Sequence, residues 1–220
     1  MFYRDSHHIY RVPELEVFPW LIHGFGTRLS DIPALFSRVA TLKQIHSAEC
    51  VVGGGRSGIL GQGDALLENT EGSVVAVKTA DCIPILLVDE ARHAVAAVHA
   101  GWRGTAAGIA GRAVARMRER FGSEPGDLHA AIGPGIGKCC YEVGPEVAEQ
   151  FGEQGRTFLD LAAINRGQLV DAGVTASRIY ASNLCTQCRP EEFHSFRRDR
   201  DDAGRLYSFA GIRAPDQAVK

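Results

Sequence analysis

The chain has 220 residues, 45% hydrophobic and 23% charged, enough length and apolar content to bury one sizeable core without disulfide or metal staples. Its 24 basic residues against 26 acidic ones leave a formal charge of -2, which argues against a general binder of nucleic acid or anionic membrane. No apolar run approaches the roughly 20 residues that span a bilayer, and Met1 to Arg11 holds no apolar core of signal-peptide type, so the expectation is a cytoplasmic protein. In that setting six cysteines read as buried thiols, metal ligands or nucleophiles, and no disulfide framework is called for.

No linker, low-complexity tract or repeat divides the sequence, and residues 1–220 read as one domain. Ser73 to Asp89 (SVVAVKTADCIPILLVD) predicts a pair of buried strands with a polar interruption at Lys78 to Cys82. Ala94 to His99 predicts another buried strand, which runs through HAGWRG into a helix. There Ala110, Ala113, Val114, Met117 and Phe121 form an apolar stripe, with Thr105 as N-cap and Gly122 as stop. Leu128 to Ile132 is a short strand ending in the loop GPGIGKCC, and Gly144-Pro145-Glu146 opens a short helix. Phe158 to Ala172 reads as an amphipathic helix stopped by Gly173, Arg178 to Ala181 as a strand, and the tail from Asn183 as turn-rich and charged. The pattern is α+β, with an antiparallel or mixed sheet and helices packed outside it.

Three segments set a borderline or soft ligand beside a turn: KQIH ending at His46, TADC ending at Cys82, and VHAGW with His99. Imidazole nitrogen and thiolate suit zinc, and a catalytic zinc keeps three protein ligands with a fourth position open. The spacings of 36 and 17 residues match no local finger pattern, and a cysteine in a β-run reads equally as a small hydrophobe. Gly101 and Gly104 permit close backbone approach beside His99, and a helix N-terminus with Arg103 suits an anion. Cys139 and Cys140 are adjacent in the glycine loop. Cys185-Thr-Gln-Cys188 is a CxxC of the kind found in redox pairs or as half a zinc site, but no second CxxC and no thioredoxin-like βαβ context completes it, so both its thiols are read as incidental; Cys50 receives no role. Arg197-Arg198-Asp199 with Arg205, and Arg28 in HGFGTR, are either solvated faces or forks for phosphate or carboxylate.

Taken in order, IHGFGTR, KQIHSAEC, GDALLE, KTADCIPILLVD, AVAAVHAGWRG, AIGPGIGKCCYEVG and CTQCRPEEFHSFRRDRDDAGR resemble the YfiH family. Its members have been called laccase-domain or polyphenol-oxidase proteins and, more recently, purine nucleoside phosphorylases. The resemblance runs from His23 to Arg205. It implies a single-domain layered α/β/β/α sandwich related to the catalytic domain of cytotoxic necrotizing factor toxins. It also implies a zinc site from His46, Cys82 and His99, with copper as the alternative metal. The implied activity is phosphorolysis of adenosine, inosine, guanosine or methylthioadenosine, together with adenosine deamination. Other relatives are described as amide hydrolases that edit peptidoglycan precursors, which would make Cys82 a nucleophile and His99 its base. Copper-dependent phenol oxidation is the third reading, and a non-enzymatic zinc-stabilised module the fourth. Cys82, His99 and Asp81 are the catalytic candidates, Asp81 as proton shuttle or as the carboxylate orienting a ligand imidazole. Arg28, Gln44, Arg103 and Arg198 are the substrate-contact candidates. The expected partners are a nucleoside and phosphate, with no nucleic acid and no membrane, in a monomer or small homo-oligomer. Two departures stand out: the segment Leu29 to Leu42 is short for the family, and Lys138 replaces a common proline before CCYEVG.

Overall fold

Two β-sheets stacked face to face form the middle of the molecule, and the computed structural model describes residues 1–36 and 38–214. In chain order the first strands are β1 (Tyr3–Arg4), β2 (Ile9–Arg11), β3 (Leu21–Gly26), β4 (Val39–Lys43), β5 (Cys50–Val52), β6 (Gly58–Gln62) and β7 (Ala65–Glu68). They are followed by β8 (Val74–Thr79), β9 (Ile83–Asp89), β10 (Ala94–Ala100), β11 (Leu128–Ile132), β12 (Glu142–Val143), β13 (Thr157–Phe158), β14 (Ile179–Ala181) and β15 (Leu206–Ile212). The α-helices are α1 (Ile32–Leu35), α2 (Trp102–Ala106), α3 (Ile109–Phe121), α4 (Pro145–Ala148), α5 (Leu161–Asp171) and α6 (Phe196–Asp199). One sheet runs β1-β2-β3-β15-β8-β4-β6 and the other β14-β11-β9-β10-β7-β5, with β12 and β13 as a separate pair. Both large sheets are mixed: β4 lies parallel to β8 and β6, β11 to β14, and β5 to β7, while the remaining pairs are antiparallel.

The burial pattern explains the layering. Every residue of β9 and β10 is buried, because one face meets the other sheet and the opposite face meets helices. Leu66, Val75, Val77, Leu86, Val88, Val95, Ala97, Ala210 and Ile212 fill the space between the sheets. On the outer face of the six-stranded sheet, Leu67, Ile85, Leu87, Ala96 and Val98 pack against α3 and α5 through Ile109, Ala113, Met117, Leu161 and Leu169. On the far side the cover is thin. Among the described residues the segment after Arg28 supplies the four residues of α1, and Ile32 and Phe36 shield Val74, Ala76 and Phe209. The fold is α+β and single-domain, a layered sandwich of mixed sheets whose helical cover on the far side is, among the described residues, the one turn of α1.

Three local expectations change. The Ser73 to Asp89 strands are both present, yet they do not pair: β8 belongs to one sheet and β9 to the other, and the TADC turn carries the chain across the sandwich. Thr105 is not a helix N-cap, because α2 begins at Trp102 and Gly108, at φ +76, breaks it from α3. Thr105 is instead fully buried, and its hydroxyl accepts a hydrogen bond from Asn165 Nδ2 at 2.9 Å. The charged tail contains β15, which sits at the centre of the seven-stranded sheet between β3 and β8.

Candidate active site

His46, Cys82 and His99 come from three different sheet ends, and the fold brings them together: their ligand atoms all lie within 4.8 Å of one another. His99 is the penultimate residue of β10, held opposite Pro84 of β9. Cys82 follows Asp81, whose φ of +85 turns the chain sharply between the sheets. His46 also has a left-handed φ, +57, in the turn after β4. The two imidazoles meet edge to face, with ring centroids 4.8 Å apart. Gly101 closes the cluster from the fourth side. Its φ of −72 asks nothing special of the backbone, but a Cβ there would stand 2.9 Å from both Cys82 Sγ and His46 Nδ1.

A buried carboxylate organises this arrangement. Asp64, fully buried, has one oxygen 2.8 Å from His99 Nδ1 and also accepting the His46 amide at 3.0 Å. Its other oxygen accepts from the Ser47 amide at 2.6 Å, the Ser47 hydroxyl at 2.7 Å and the Ile45 amide at 3.3 Å. Burial alone would raise the Asp64 carboxyl, but these donors, His99 foremost, hold it down at about 2. Because Nδ1 of His99 serves Asp64, Nε2 is the nitrogen free to bind a ligand. Burial likewise pushes the Cys82 thiol up, yet the facing imidazoles of His46 and His99 bring it down to about 6. His99, in turn, is lifted to about 9 against its burial by Asp64 and Cys82. Two imidazoles, one readily ionised thiol and an oriented second nitrogen form a donor set suited to zinc.

Above the cluster opens a cavity of about 670 Å³. Six cations reach it: Lys43, Lys78, Arg103, Arg197, Arg200 and Arg205. None of the six forms an ion pair among the described residues. The single carboxylate on its wall among the described residues, Asp81, is already engaged, accepting from Thr186 Oγ1 and from the Arg197 amide, each at 2.6 Å. Trp102, Tyr141 and Phe196 add aromatic surface, with the Arg103 guanidinium 4.2 Å over the Trp102 ring and Arg197 5.3 Å over Tyr141.

The remaining sequence candidates fall into two groups. Gln44 and Arg103 line the cavity; Gln44 is clamped to β8, its amide nitrogen donating to the Lys78 carbonyl and its oxygen accepting the Lys78 amide. Arg28 and Arg198 do not line it. Arg28 donates to the Pro190 carbonyl, and Arg198 is tied to Asp199, Phe193, Thr186 and Gln187, so both fix the C-terminal segment. Asp81 is not the carboxylate that orients an imidazole: that is Asp64, which sequence reasoning passed over. The available signal was an acid heading the apolar strand in GDALLE. Lys43, Lys78 and Arg200 carried no local signal, because only the fold gathers them.

A Cys-His-His cluster beneath a cationic cavity, in a layered α+β sandwich, defines a class of protein with a candidate metal centre. Residues 27–213 match the family model described as "Multi-copper polyphenol oxidoreductase laccase", and the chain belongs to this family. It is 41% identical over 164 residues to purine nucleoside phosphorylase YlmD of Geobacillus stearothermophilus, an alignment covering 68% of this chain and 60% of that relative. It is 42% identical over 163 residues to an adenosine deaminase from an unknown prokaryotic organism, covering 68% and 61% respectively. The chain thus spans less than two thirds of the length of either relative. The crystal structure of YlmD from Geobacillus stearothermophilus superposes with a TM-score of 0.87 at 30% identity, over 97% of this chain and 99% of that one. No helix among the described residues is long and apolar enough to cross a membrane.

Proposed function

We propose that the chain is a zinc-dependent purine nucleoside enzyme. It would cleave adenosine, inosine, guanosine or methylthioadenosine with phosphate, and deaminate adenosine. The observation that carries this reading is the combination of six unpaired cations and three aromatic side chains around one Cys-His-His cluster. The cavity volume falls in the range of small-molecule sites and suits an anion next to a flat, stackable base. The names of the relatives point the same way.

His46, Cys82 and His99 would hold the zinc, whose chemistry when bound is Lewis-acid polarisation of a reacting oxygen or nitrogen. The protein's own groups do the rest. In phosphorolysis a phosphate oxygen bonds to the ribose carbon as the glycosidic bond breaks, and the purine leaves with the electron pair and takes up a proton. Arg103, Arg197, Arg200 and Arg205 neutralise the incoming phosphate and hold it in line, which needs fixed guanidinium groups free of carboxylate partners. Trp102, Tyr141 and Phe196 offer the purine stacking surface. Asp81 acts as a positioning residue, fixing the Arg197 backbone, since both of its oxygens are engaged. Asp64 keeps His99 in the tautomer that leaves Nε2 available.

Copper in an electron-transfer role suits the site less well, because such centres carry a weak axial thioether. Met117 lies in the α3 core and Met1 is exposed at the N-terminus. A second enzymatic reading rests on the order Asp64–His99–Cys82, which also fits a cysteine hydrolase with an oriented base. Incubation with the four nucleosides, with and without phosphate, scored for free base and ammonia, tests the proposal. Base release that requires phosphate, and ammonia from adenosine without it, are expected. Neither product at any zinc loading would sink it. Survival of an amidase activity through chelation, with loss on thiol alkylation, would favour the hydrolase.

A further inference from the structure

Away from the cavity floor, the structure gathers four cysteines that the sequence separates by up to 49 positions. Residues 133–140 follow β11 and residues 182–188 follow β14, and the two loops lie side by side. The Thr186 amide donates to the Gly135 carbonyl at 3.0 Å and the Gly135 amide to the Leu184 carbonyl at 3.3 Å, which fixes their register. In that register the adjacent pair Cys139 and Cys140 meets the CxxC of Cys185 and Cys188, and all four sulfurs lie within 4.8 Å of one another. Three of the separations are 3.6 Å (Cys139–Cys140), 3.7 Å (Cys139–Cys188) and 3.4 Å (Cys140–Cys188). A disulfide needs sulfurs at about 2.0 Å. A tetrahedral zinc with bonds of about 2.3 Å places its sulfurs about 3.8 Å apart, close to what is found. The Gly137 amide donates to Cys185 Sγ at 3.3 Å, the type of outer contact that steadies a ligating thiolate. Gly137 leaves no spare room, as a Cβ there would lie 3.3 Å from both Cys139 Sγ and Cys185 Cβ.

We propose that Cys139, Cys140, Cys185 and Cys188 form a second metal site, a closed four-thiolate centre for a structural zinc ion. The fold offers Cys185 and Cys188 partners that are not another CxxC but the neighbouring pair in the glycine loop. On binding, the four thiols release four protons and the centre carries two net negative charges, with Lys138 and Arg189 flanking it in sequence. With four protein ligands it has no open position, so its role is to join the two loops. The first loop reaches the cavity wall at Ile136, and both loops hold residues that line it. Thr186, inside the CxxC, holds Asp81, and Arg197 donates to the carbonyls of Cys140 and Glu142. Zinc here would therefore fix Arg197 and Tyr141 without touching substrate.

The test is made in the Cys82→Ala background, which removes the cavity cluster and keeps the outcome independent of the proposed reaction. The reduced Cys82→Ala protein is expected to retain one zinc equivalent by elemental analysis. Reconstituted with cobalt(II), it should show the intense sulfur-to-metal charge transfer and tetrahedral d–d absorption of a four-thiolate centre. Adding Cys185→Ser and Cys188→Ser should bring metal content to zero. Should that variant fold poorly, mass mapping of alkylated Cys82→Ala decides: the four thiols should resist alkylation with zinc and react after chelation. No metal in the reduced Cys82→Ala protein, metal unchanged by the two serines, or equal alkylation with and without zinc would each overturn the proposal.

Discussion

Asp64→Asn is the substitution that asks most of the site. It preserves shape and removes one acceptor oxygen from a fully buried group that serves five donors. If the amide oxygen takes the place facing Ser47, the new NH₂ faces the His46 amide and His99 Nδ1. A donor opposite Nδ1 forces that nitrogen to accept, which moves the imidazole proton to Nε2 and removes it as a ligand. The His46 N–H loses its partner altogether. One or two buried donors left unsatisfied, at about 1–3 kcal/mol each, give a destabilisation of about 1–6 kcal/mol. Disturbing the group that orients a ligating imidazole weakens metal binding about 10–100-fold. Chelator competition on wild type and Asp64→Asn measures the affinity of the cavity site, and urea unfolding measures stability. Equal zinc affinity in the two proteins would refute the tautomer argument, whatever the stability change.

Gly101→Ala should lose metal at the cavity site, because its Cβ would overlap Cys82 Sγ and His46 Nδ1; unchanged metal content with an intact circular dichroism spectrum would count against the packing argument. Arg103→Ala should raise the KM for phosphate in steady-state phosphorolysis at least 10-fold, whereas Arg28→Ala, which does not line the cavity, should leave it within about 2-fold. Phe209→Ala, in the middle of β15 and fully buried, should cost about 3–5 kcal/mol in urea unfolding. His23 is buried, accepts the Val12 amide at Nε2, and is lowered to about 3 by its burial and then by Arg11. Its folded value lies below the unfolded one, so its contribution is intact above about pH 6.5 and is lost at about 1.4 kcal/mol per pH unit as pH falls toward 3. His23→Gln should flatten the stability profile between pH 6 and 4; an unchanged slope would refute the assignment.

The fold's legibility follows from which faces are buried. β9 and β10 stand out as apolar runs because both of their faces are covered, and α3 because one of its faces is. β15 escaped notice because the charged run Arg197 to Arg205 masks the short apolar-aromatic stretch that follows, LYSFAGI. That β8 and β9 part company at the TADC turn is a tertiary fact: periodicity marks a strand as buried but not which sheet receives it.

The site was legible where a motif joins a ligand to a turn, as at His46, Cys82 and His99, and illegible where function depends on distant segments meeting. Asp64 shows why. An acid at the head of a strand is ordinarily a solvated residue, and only three backbone amides and a hydroxyl converging from residues 45–47 make it the organiser of the cluster. Arg197 and Arg198 make the same point from adjacent positions. One side chain reaches the cavity wall and the other turns back to Asp199 and three carbonyls, and nothing in the run FRRDR distinguishes them. The cationic wall is thus a property of the layered fold. Its six charges come from β4, β8, α2, α6 and the chain leading into β15, which explains how a protein of net charge -2 can gather a basic surface around one cavity.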